Sequence, residues 1–379
     1  MLHNDYQGTS GESLSVEAEV GHLRLAGVDV DYLQFAPASE ESKQTVAREL
    51  IYSKRIRRSL IKSIERLQPD VVHVQNVFPR LGASAILAIS ATNTPYVQTL
   101  RNYRLSCLSA NHYRNQKPCN LCRRSATAIS GVRFGCYRDS SLMSGGVLVH
   151  DAAQRGVRMA NKGARPHAFI VLSHSMREAM RSTLPKWADV RVKYNTLLHD
   201  PGLGKGGGGM IFVGRLSHEK GVLNLIEAWR SMPRRPRLTI VGDGPLNSDV
   251  AALVGGTSGV EFYARLCNDE VLERIKAADL LVAPAMWHEP FGRTVLEALA
   301  CGTPVLATDL GAAPELIGST GWTCRPTTGS LLAMATMAIS EAPLYRTRAR
   351  ARYESIFSPS ATTAELVRIY ESVLGRADV

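Results

Sequence analysis

Two carboxylates and two cations in the second half of the chain have the types and spacing to handle a phosphorylated, hydroxyl-rich ligand. In MWHEPFGRTVLEALACGTPVLATDLGAAPELI, residues 286–317, Glu289 stands in a loop just before a helical pattern and Glu297 falls two turns inside it. A loop carboxylate so placed can accept hydrogen bonds from ligand hydroxyls, while the free amides of the first helical turn hold an anion. Phe291, Gly292 and Arg293 would supply those amides, with Gly292 allowing close backbone approach. Glu297, on the same face, could accept from vicinal hydroxyls such as those of a ribose. An acidic residue favoured by a helix N-terminus explains the same pattern more plainly. In FVGRLSHEKGV, residues 212–222, Arg215 and Lys220 lie where a strand ends and a helix opens. Both can converge on a diphosphate, Arg by its planar fork and Lys as a point charge. A solvated loop is the alternative.

A second group has metal-ligand types. Cys119 and Cys122 form CNLC, with Cys107 twelve residues before it and Cys136 fourteen after. Four thiolates could enclose Zn²⁺ tetrahedrally, and an iron–sulfur cluster, less expected here, uses the same ligands. Arg104, Arg114, Lys117, Arg123, Arg124 and Arg133 would offset the negative charge of such a centre. The expectation is a structural metal stapling an insertion at about residues 103–140. Cys267, Cys301 and Cys324 are scattered, a pattern suited to a reducing compartment rather than a disulfide framework. The chain is therefore expected in the cytoplasm.

The elements that must position these groups read as parallel α/β layers, since short β-branched runs alternate with longer helical patterns. DVVHVQ (70–75), PYVQTL (95–100) and AFIVL (168–172) read as buried strands, and Gln44–Leu67 as one long helix. Later strands fall at 210–213, 237–241, 260–263, 280–283 and 304–307, with helices notably at 221–231 and 291–301. Six glycines and a proline within residues 201–209 read as a linker or flexible loop. Gly8 to Gly11 looks like the turn after the first strand of a Rossmann-like half, with only seven residues before it. The recorded start is expected to lie downstream of the natural one. Residues 362–374 form an amphipathic pattern.

At 379 residues, 45% of them apolar and 21% charged, the chain reads as a globular protein of two domains. The net charge of +11 favours an acidic partner: nucleic acid, anionic lipid or a phosphorylated substrate. With aromatics at 6% and no interleaving of basic and aromatic residues, nucleic acid is set aside. No apolar stretch approaches the ~18–20 residues that span a bilayer. The segment YSKRIRRSLIKSIERL, with Lys54, Arg55, Arg57, Arg58 and Lys62, could rest on an anionic membrane; a solvated charged face is the commoner outcome.

The Glu289-to-Glu297 pair, the GRLSHEKG segment and the ordered series VGDGP, ADLLVAPA, EPFGRTVLEALACGTPVLA and APELI together resemble the retaining glycosyltransferases of family 4, the glycosyl transferases group 1. The glycine turn, PDVVHVQN and FSPSATTAELVRIYESVL extend the resemblance over essentially the whole chain. It implies the GT-B fold: two facing Rossmann-like domains with parallel sheets, a cleft between them, and a C-terminal helix returning to the N-terminal domain. The implied boundaries are 1–198 for the acceptor-side domain, 199–209 for a glycine-rich linker, 210–357 for the nucleotide-sugar domain and 358–379 for the returning helix.

The implied activity moves a sugar from a UDP-, GDP-, ADP- or TDP-sugar to a glycan or lipid-linked acceptor with retention of configuration. Arg215 and Lys220 would stabilise the leaving diphosphate and Glu289 would hold sugar hydroxyls. Phe291, Gly292 and Arg293 would meet phosphate or sugar, and Glu297 the ribose. Gly8, Gly11 and Gly214 would let backbone approach the phosphates. No catalytic metal is expected, because the cations take its place. The chain departs from the family pattern at Arg101-Asn102, where many relatives have His-Asp. Arg101 is expected to meet an anionic group of donor or acceptor, or else to lie exposed at a strand end. It departs again at Gly311-Ala312-Ala313, where a double glycine is usual. A degenerate protein that binds without transfer, or an epimerase on the same fold, would leave much of this pattern intact.

Overall fold

The computed structural model describes residues 1–4, 11–35, 49–123 and 127–375. Packing divides the chain into two compact units. One comprises residues 1–112 and 120–194 with the chain from Thr362 onward; the other comprises Tyr113–Cys119 and Asn195–Ala361.

In the first unit, β1 (Leu2–Asn4), β2 (Leu33–Phe35), β3 (Val72–Val74) and β4 (Tyr96–Leu100) share a sheet with two later strands. A two-stranded hairpin, β5 (Tyr113–Arg114) and β6 (Lys117–Pro118), interrupts them in the chain and groups with the second unit. The later strands are β7 (Ala168–Val171) and β8 (Val190–Val192), giving the parallel order β2-β1-β3-β4-β7-β8. β3, β4 and β7 are buried along their whole length, as expected for β-branched runs covered by helices on both faces.

The basic segment forms a shorter helix than the charge pattern suggests, Lys54–Leu67. Ser53 is extended and its Oγ accepts from the Ile56 amide, so this N-cap starts the helix and separates it from the residues before. Residues 44–48, the first part of the expected helix, lie outside the described residues. Ile56, Leu60 and Ile64 are buried with Val72, Val74 and Tyr96. The helix's apolar face is thus already inside the core, and only its charged face, with Lys54, Arg55, Arg58 and Lys62, is exposed. That removes the apolar surface an interfacial helix needs. The last helix, Pro359–Val373, supplies Leu366, Ile369 and Tyr370 to a cluster with Leu23, Val97, Ala168 and Ile170 of this same unit.

The second unit holds β9 (Met210–Val213), β10 (Leu238–Val241), β11 (Val260–Tyr263), β12 (Leu280–Ala283), β13 (Val305–Thr308) and β14 (Trp322–Cys324). All pairings are parallel, in the order β11-β10-β9-β12-β13-β14. The chain builds outward from β9 to β11, then returns to the other side of β9 for β12. The crevice between the loops after β9 and β12 is therefore the topological switch point, where ligands of such sheets bind.

The glycine run before β9 is a fitted strap rather than a bare linker. Gly204, Gly206 and Gly208 donate backbone hydrogen bonds to the carbonyls of Cys301, Lys276 and Ala277, at 2.9, 3.0 and 2.8 Å. The Asp279 carboxylate accepts from Gly207 and Gly209 at 2.6 and 2.9 Å. A Cβ on Gly204 or Gly209 would lie 2.3 Å from a backbone oxygen. The glycines are there for close approach, which composition alone does not distinguish from looseness.

Candidate active site

Lys220 and Glu289, two of the residues expected to meet the ligand, lie on the loops that flank the switch point of the second unit. β9 ends at Val213, and Gly214 at φ +159° turns the chain into the loop bearing Arg215 and Lys220. Lys220 closes a short 3₁₀ turn, and Gly221 (φ +73°) starts the helix Val222–Arg230. A Cβ on Gly221 would fall 1.9 Å from the Pro284 carbonyl, so only glycine lets the β9 loop lie this close to the chain leaving β12. The Met286 amide then donates to the Glu219 carbonyl at 2.8 Å.

From the β12 loop, Glu289 Oε1 accepts from Lys220 Nζ at 2.5 Å, both side chains about a quarter exposed. A lysine ammonium has three donors, so two remain for a ligand. The Trp287 ring lies 5.5 Å from Lys220 Nζ, and its indole Nε1 is buried with no hydrogen-bond partner among the described residues. Arg215 is exposed beside the pair in sequence and carries its charge to solvent. Gly311 (φ +64°) after β13 completes the wall: a Cβ there would meet the Glu289 nitrogen at 2.3 Å, and the Ala312 amide donates to the Glu289 carbonyl at 2.9 Å.

The helix Arg293–Ala300 begins directly after this loop, with buried Phe291 and Gly292 (φ +98°) at its N-terminus. Glu297 is buried in it and accepts from Arg293 Nε at 2.8 Å. Burial pushes the Glu297 carboxyl up, and Arg293 draws it part of the way back. Glu289, Lys220, Phe291, Gly292, Arg293 and Glu297 are thus carried by one loop-helix segment and the loop facing it. The arrangement presents fixed positive charge, helix-terminal amides and carboxylate acceptors, the inventory for a sugar linked to a diphosphate.

Two expectations meet a different structure. Arg101 is neither exposed nor open to an outside anion: its Nη2 pairs with Glu19 Oε2 at 2.9 Å and its Nε donates to Gln75 Oε1 at 3.0 Å, with the side chain 3% exposed. Lys193 donates to the other oxygen of the same Glu19 carboxylate, and His73 bridges Tyr370 Oη and Thr99 Oγ1 at 2.6 and 2.7 Å. Burial opposes the Glu19 charge, yet Lys193 and Arg101 outweigh it and hold its carboxyl well below the usual range. Burial pushes the His73 imidazole down to about 3, so it stays neutral. Glu19 and Lys193 lie in no motif, and nothing in PDVVHVQN singles out His73; spacing does not reveal residues that meet only in the fold.

The cysteines also differ from expectation. Among the described residues no three His, Cys, Asp or Glu side chains gather as a metal would require. Cys107 Sγ lies 3.2 Å from Ser109 Oγ, and Cys122 Sγ donates to the Ala128 carbonyl at 3.9 Å. Cys119 groups with the second unit, Cys107, Cys122 and Cys136 with the first. CNLC sits on a turn after a hairpin, so ligand spacing alone misled here. Of the glycine turn after β1, Gly8 lies outside the described residues, and Gly11 is the first residue of the helix Gly11–Leu25.

Two parallel Rossmann-like units in one chain, with a cationic switch point in the second, define a protein of the GT-B fold. Residues 208–341 match the model of the family described as glycosyl transferases group 1. A Bacillus subtilis (strain 168) protein assigned to teichuronic acid biosynthesis as a glycosyltransferase is 27% identical over 269 residues, 70% of this chain and 60% of that one. The 2-deoxystreptamine glucosyltransferase of Streptomyces kanamyceticus is 37% identical over 124 residues, 31% of this chain and 32% of the relative. The chain thus aligns with between a third and three fifths of the length of these relatives. Among solved structures, a glycosyltransferase of Rickettsia africae ESF-5 superposes with a TM-score of 0.67 at 14% identity, covering 99% of this chain and 98% of that one. Anabaena HepE, solved with UDP and glucose, superposes with a TM-score of 0.65 at 18% identity, covering 98% and 99%.

Proposed function

We propose that the chain transfers a sugar from a nucleoside-diphosphate sugar to an acceptor hydroxyl, with retention of configuration at the transferred carbon. The observation that carries this reading is the Lys220–Glu289 pair at the switch point, directly before the N-terminus of the helix Arg293–Ala300. In this reading Lys220 and Arg215 hold the diphosphate and stabilise the charge that grows on it as the glycosidic bond breaks. Glu289 accepts hydrogen bonds from sugar hydroxyls, Glu297 from the ribose, and the first amides of the helix meet phosphate or sugar. The acceptor hydroxyl bonds to the anomeric carbon from the face the diphosphate leaves, and its proton passes to the departing phosphate oxygen. The positive charge for this step comes from side chains, so the reading requires no catalytic metal.

HepE was solved with UDP, which makes UDP-glucose the first donor to try, followed by GDP-, ADP- and TDP-sugars. We place the reaction in the cytoplasm. Contact with an anionic membrane, if the acceptor is lipid-linked, would be electrostatic and would run through Lys54, Arg55, Arg58 and Lys62. Thermal shift with each donor, followed by transfer assays of Glu289→Gln and Lys220→Ala, tests the proposal. A donor that raises the melting temperature of the native chain and supports transfer abolished by both substitutions is the expected result. Unchanged transfer in both variants would sink the assignment of roles, and binding without transfer to any acceptor would leave a binding protein.

A further inference from the structure

The first unit contains a second built site, distant in kind from the switch point. The helix Ser141–Ala160 should turn an apolar stripe to the core. Its buried face instead reads Ser144, Val147, His150, Asp151, Gln154 and Arg158. His150, Asp151 and Gln154 are each 3% exposed or less. His150 Nε2, Asp151 Oδ1 and Gln154 Oε1 have no hydrogen-bond partner among the described residues. Buried polar atoms left so cost roughly 1–3 kcal/mol each unless something meets them.

Two hollows adjoin this face. One is a chamber of about 40 Å³ bordered by Gln75, Gln98, His150, Asp151 and Gln154, with room for a few waters. The other is a cavity of about 580 Å³ within the first unit. That volume is within the range of small-molecule sites, roughly 300–1,000 Å³. Asp151 borders both. The residues lining the larger cavity include three arginines, Arg104, Arg123 and Arg155, and one acidic residue, Asp151. Ser182 and Thr183 line it as well. Arg104 and Arg155 are held in place from behind: Arg104 donates to the Leu108 carbonyl at 2.5 Å and stacks over Phe78 at 4.4 Å, and Arg155 donates to the Leu105 carbonyl. Fixed arginines with spare donors suit a carboxylate or phosphate group.

We propose that this cavity binds an acidic sugar or polyol carrying a carboxylate or a phosphate. Arg155, Arg123 and Arg104 take the acidic group, and Asp151 takes a hydroxyl of the same molecule.

Cys107 lines the same cavity and provides a readout apart from turnover. The full-length protein is alkylated with iodoacetamide, and the Cys107-containing peptide is followed by mass spectrometry. Glucuronic acid, glucose 6-phosphate and glucose are compared as additives. At least one acidic sugar should slow Cys107 alkylation five-fold or more, while glucose leaves it unchanged and Cys267, outside the cavity, reacts alike throughout. Protection by the uronate or by the phosphate alone identifies which acidic group is taken. Arg155→Gln, and separately Asp151→Asn, should weaken the protection at least ten-fold in ligand concentration without changing the thermal shift given by a nucleotide-sugar. Equal protection by glucose, none at millimolar acidic sugar, or full protection in Arg155→Gln overturns the proposal. A donor shift without Cys107 protection defeats the cavity alone; protection without any donor shift defeats the transferase reading alone.

Discussion

Lys220 Nζ and Glu289 Oε1 lie 2.5 Å apart although 69 residues separate them, because β9 and β12 are neighbours and each delivers its loop to the same crevice. Both side chains remain about a quarter exposed, so the pair contributes little to stability, within ~1 kcal/mol. In the proposed reading it holds the ammonium where a diphosphate leaves. Lys220→Ala should lower turnover by roughly 10²–10³, the usual cost of deleting one donor to a developing negative charge. Its urea midpoint should shift by less than ~1 kcal/mol equivalent. Steady-state kinetics beside equilibrium unfolding decides: a loss of stability matching the loss of rate would assign Lys220 to the scaffold.

Gly311 supports Glu289 from β13. Its φ of +64° and the 2.3 Å approach of a would-be Cβ to the Glu289 nitrogen mean that any side chain must push the Glu289 loop away. Gly311→Ala should therefore cut the apparent affinity for donor and destabilise the second unit by about 1–3 kcal/mol. Gly329 is the control, since nothing lies within 4 Å of its would-be Cβ in the helix Thr328–Glu341. Gly329→Ala should be neutral or stabilise by up to ~1 kcal/mol. Donor thermal shift and chemical unfolding of both variants test the contrast; equal behaviour would refute it.

Glu19 holds two buried cations, Arg101 and Lys193, whose side chains are 3% and 2% exposed. Glu19→Gln strips both of their shared counter-charge and should cost about 3–5 kcal/mol. Adding Arg101→Met should recover part of that loss, because one buried charge is then gone. The depressed Glu19 pKa places its contribution above the unfolded carboxyl value near ~4, to be lost as pH falls through the folded value. Acid unfolding of the wild type should thus be steeper below pH 4 than that of Glu19→Gln. Parallel acid limbs would show that the triad carries no net charge coupling.

The second unit was legible because its signals are local. The GRLSHEKG loop, the EPFGRTVLEALACGTPVLA run and the strands around them each hold their chemistry within a short window, and the glycines mark turns that steric rules demand. The first unit was less so. The Glu19 triad joins the helix after β1, the residue after β4 and the residue after β8, and no window of sequence holds more than one member. Arg101 illustrates the consequence: a strand-end cation reads as available, and a glutamate 82 residues earlier claims it. The cysteines failed in the opposite direction, with suggestive spacing but chain paths that part at the hairpin Tyr113–Pro118. For the basic helix the sequence left a membrane surface and a solvated charged face both open, because periodicity shows that a face is apolar and not which neighbour covers it; Ile56, Leu60 and Ile64 pack into the core.

Asp151 gives a pH signature that separates a buried carboxyl from an ordinary one. Burial pushes its pKa up to about 7, with Arg104, Arg155 and Arg158 pulling the other way. The folded chain therefore holds a proton that the unfolded chain releases near pH ~4, and stability falls as pH rises from about 4 to 7. Its neighbour His150, pushed down to about 4 by burial, acts in the opposite sense: it lowers stability as pH falls below ~6.5. That contribution is common to the wild type and to Asp151→Asn, so it cancels in their difference. Asn mimics the protonated carboxyl and does not titrate. Without ligand, Asp151→Asn should gain on the wild type between pH 5 and pH 8, by at most ~4 kcal/mol at the upper end. Above pH 8 the gap should stay constant, since both forms have finished titrating at this site. Guanidinium unfolding at pH 5, 6, 7 and 8 measures it directly; a stability difference that is flat with pH would mean that Asp151 ionises freely in the fold.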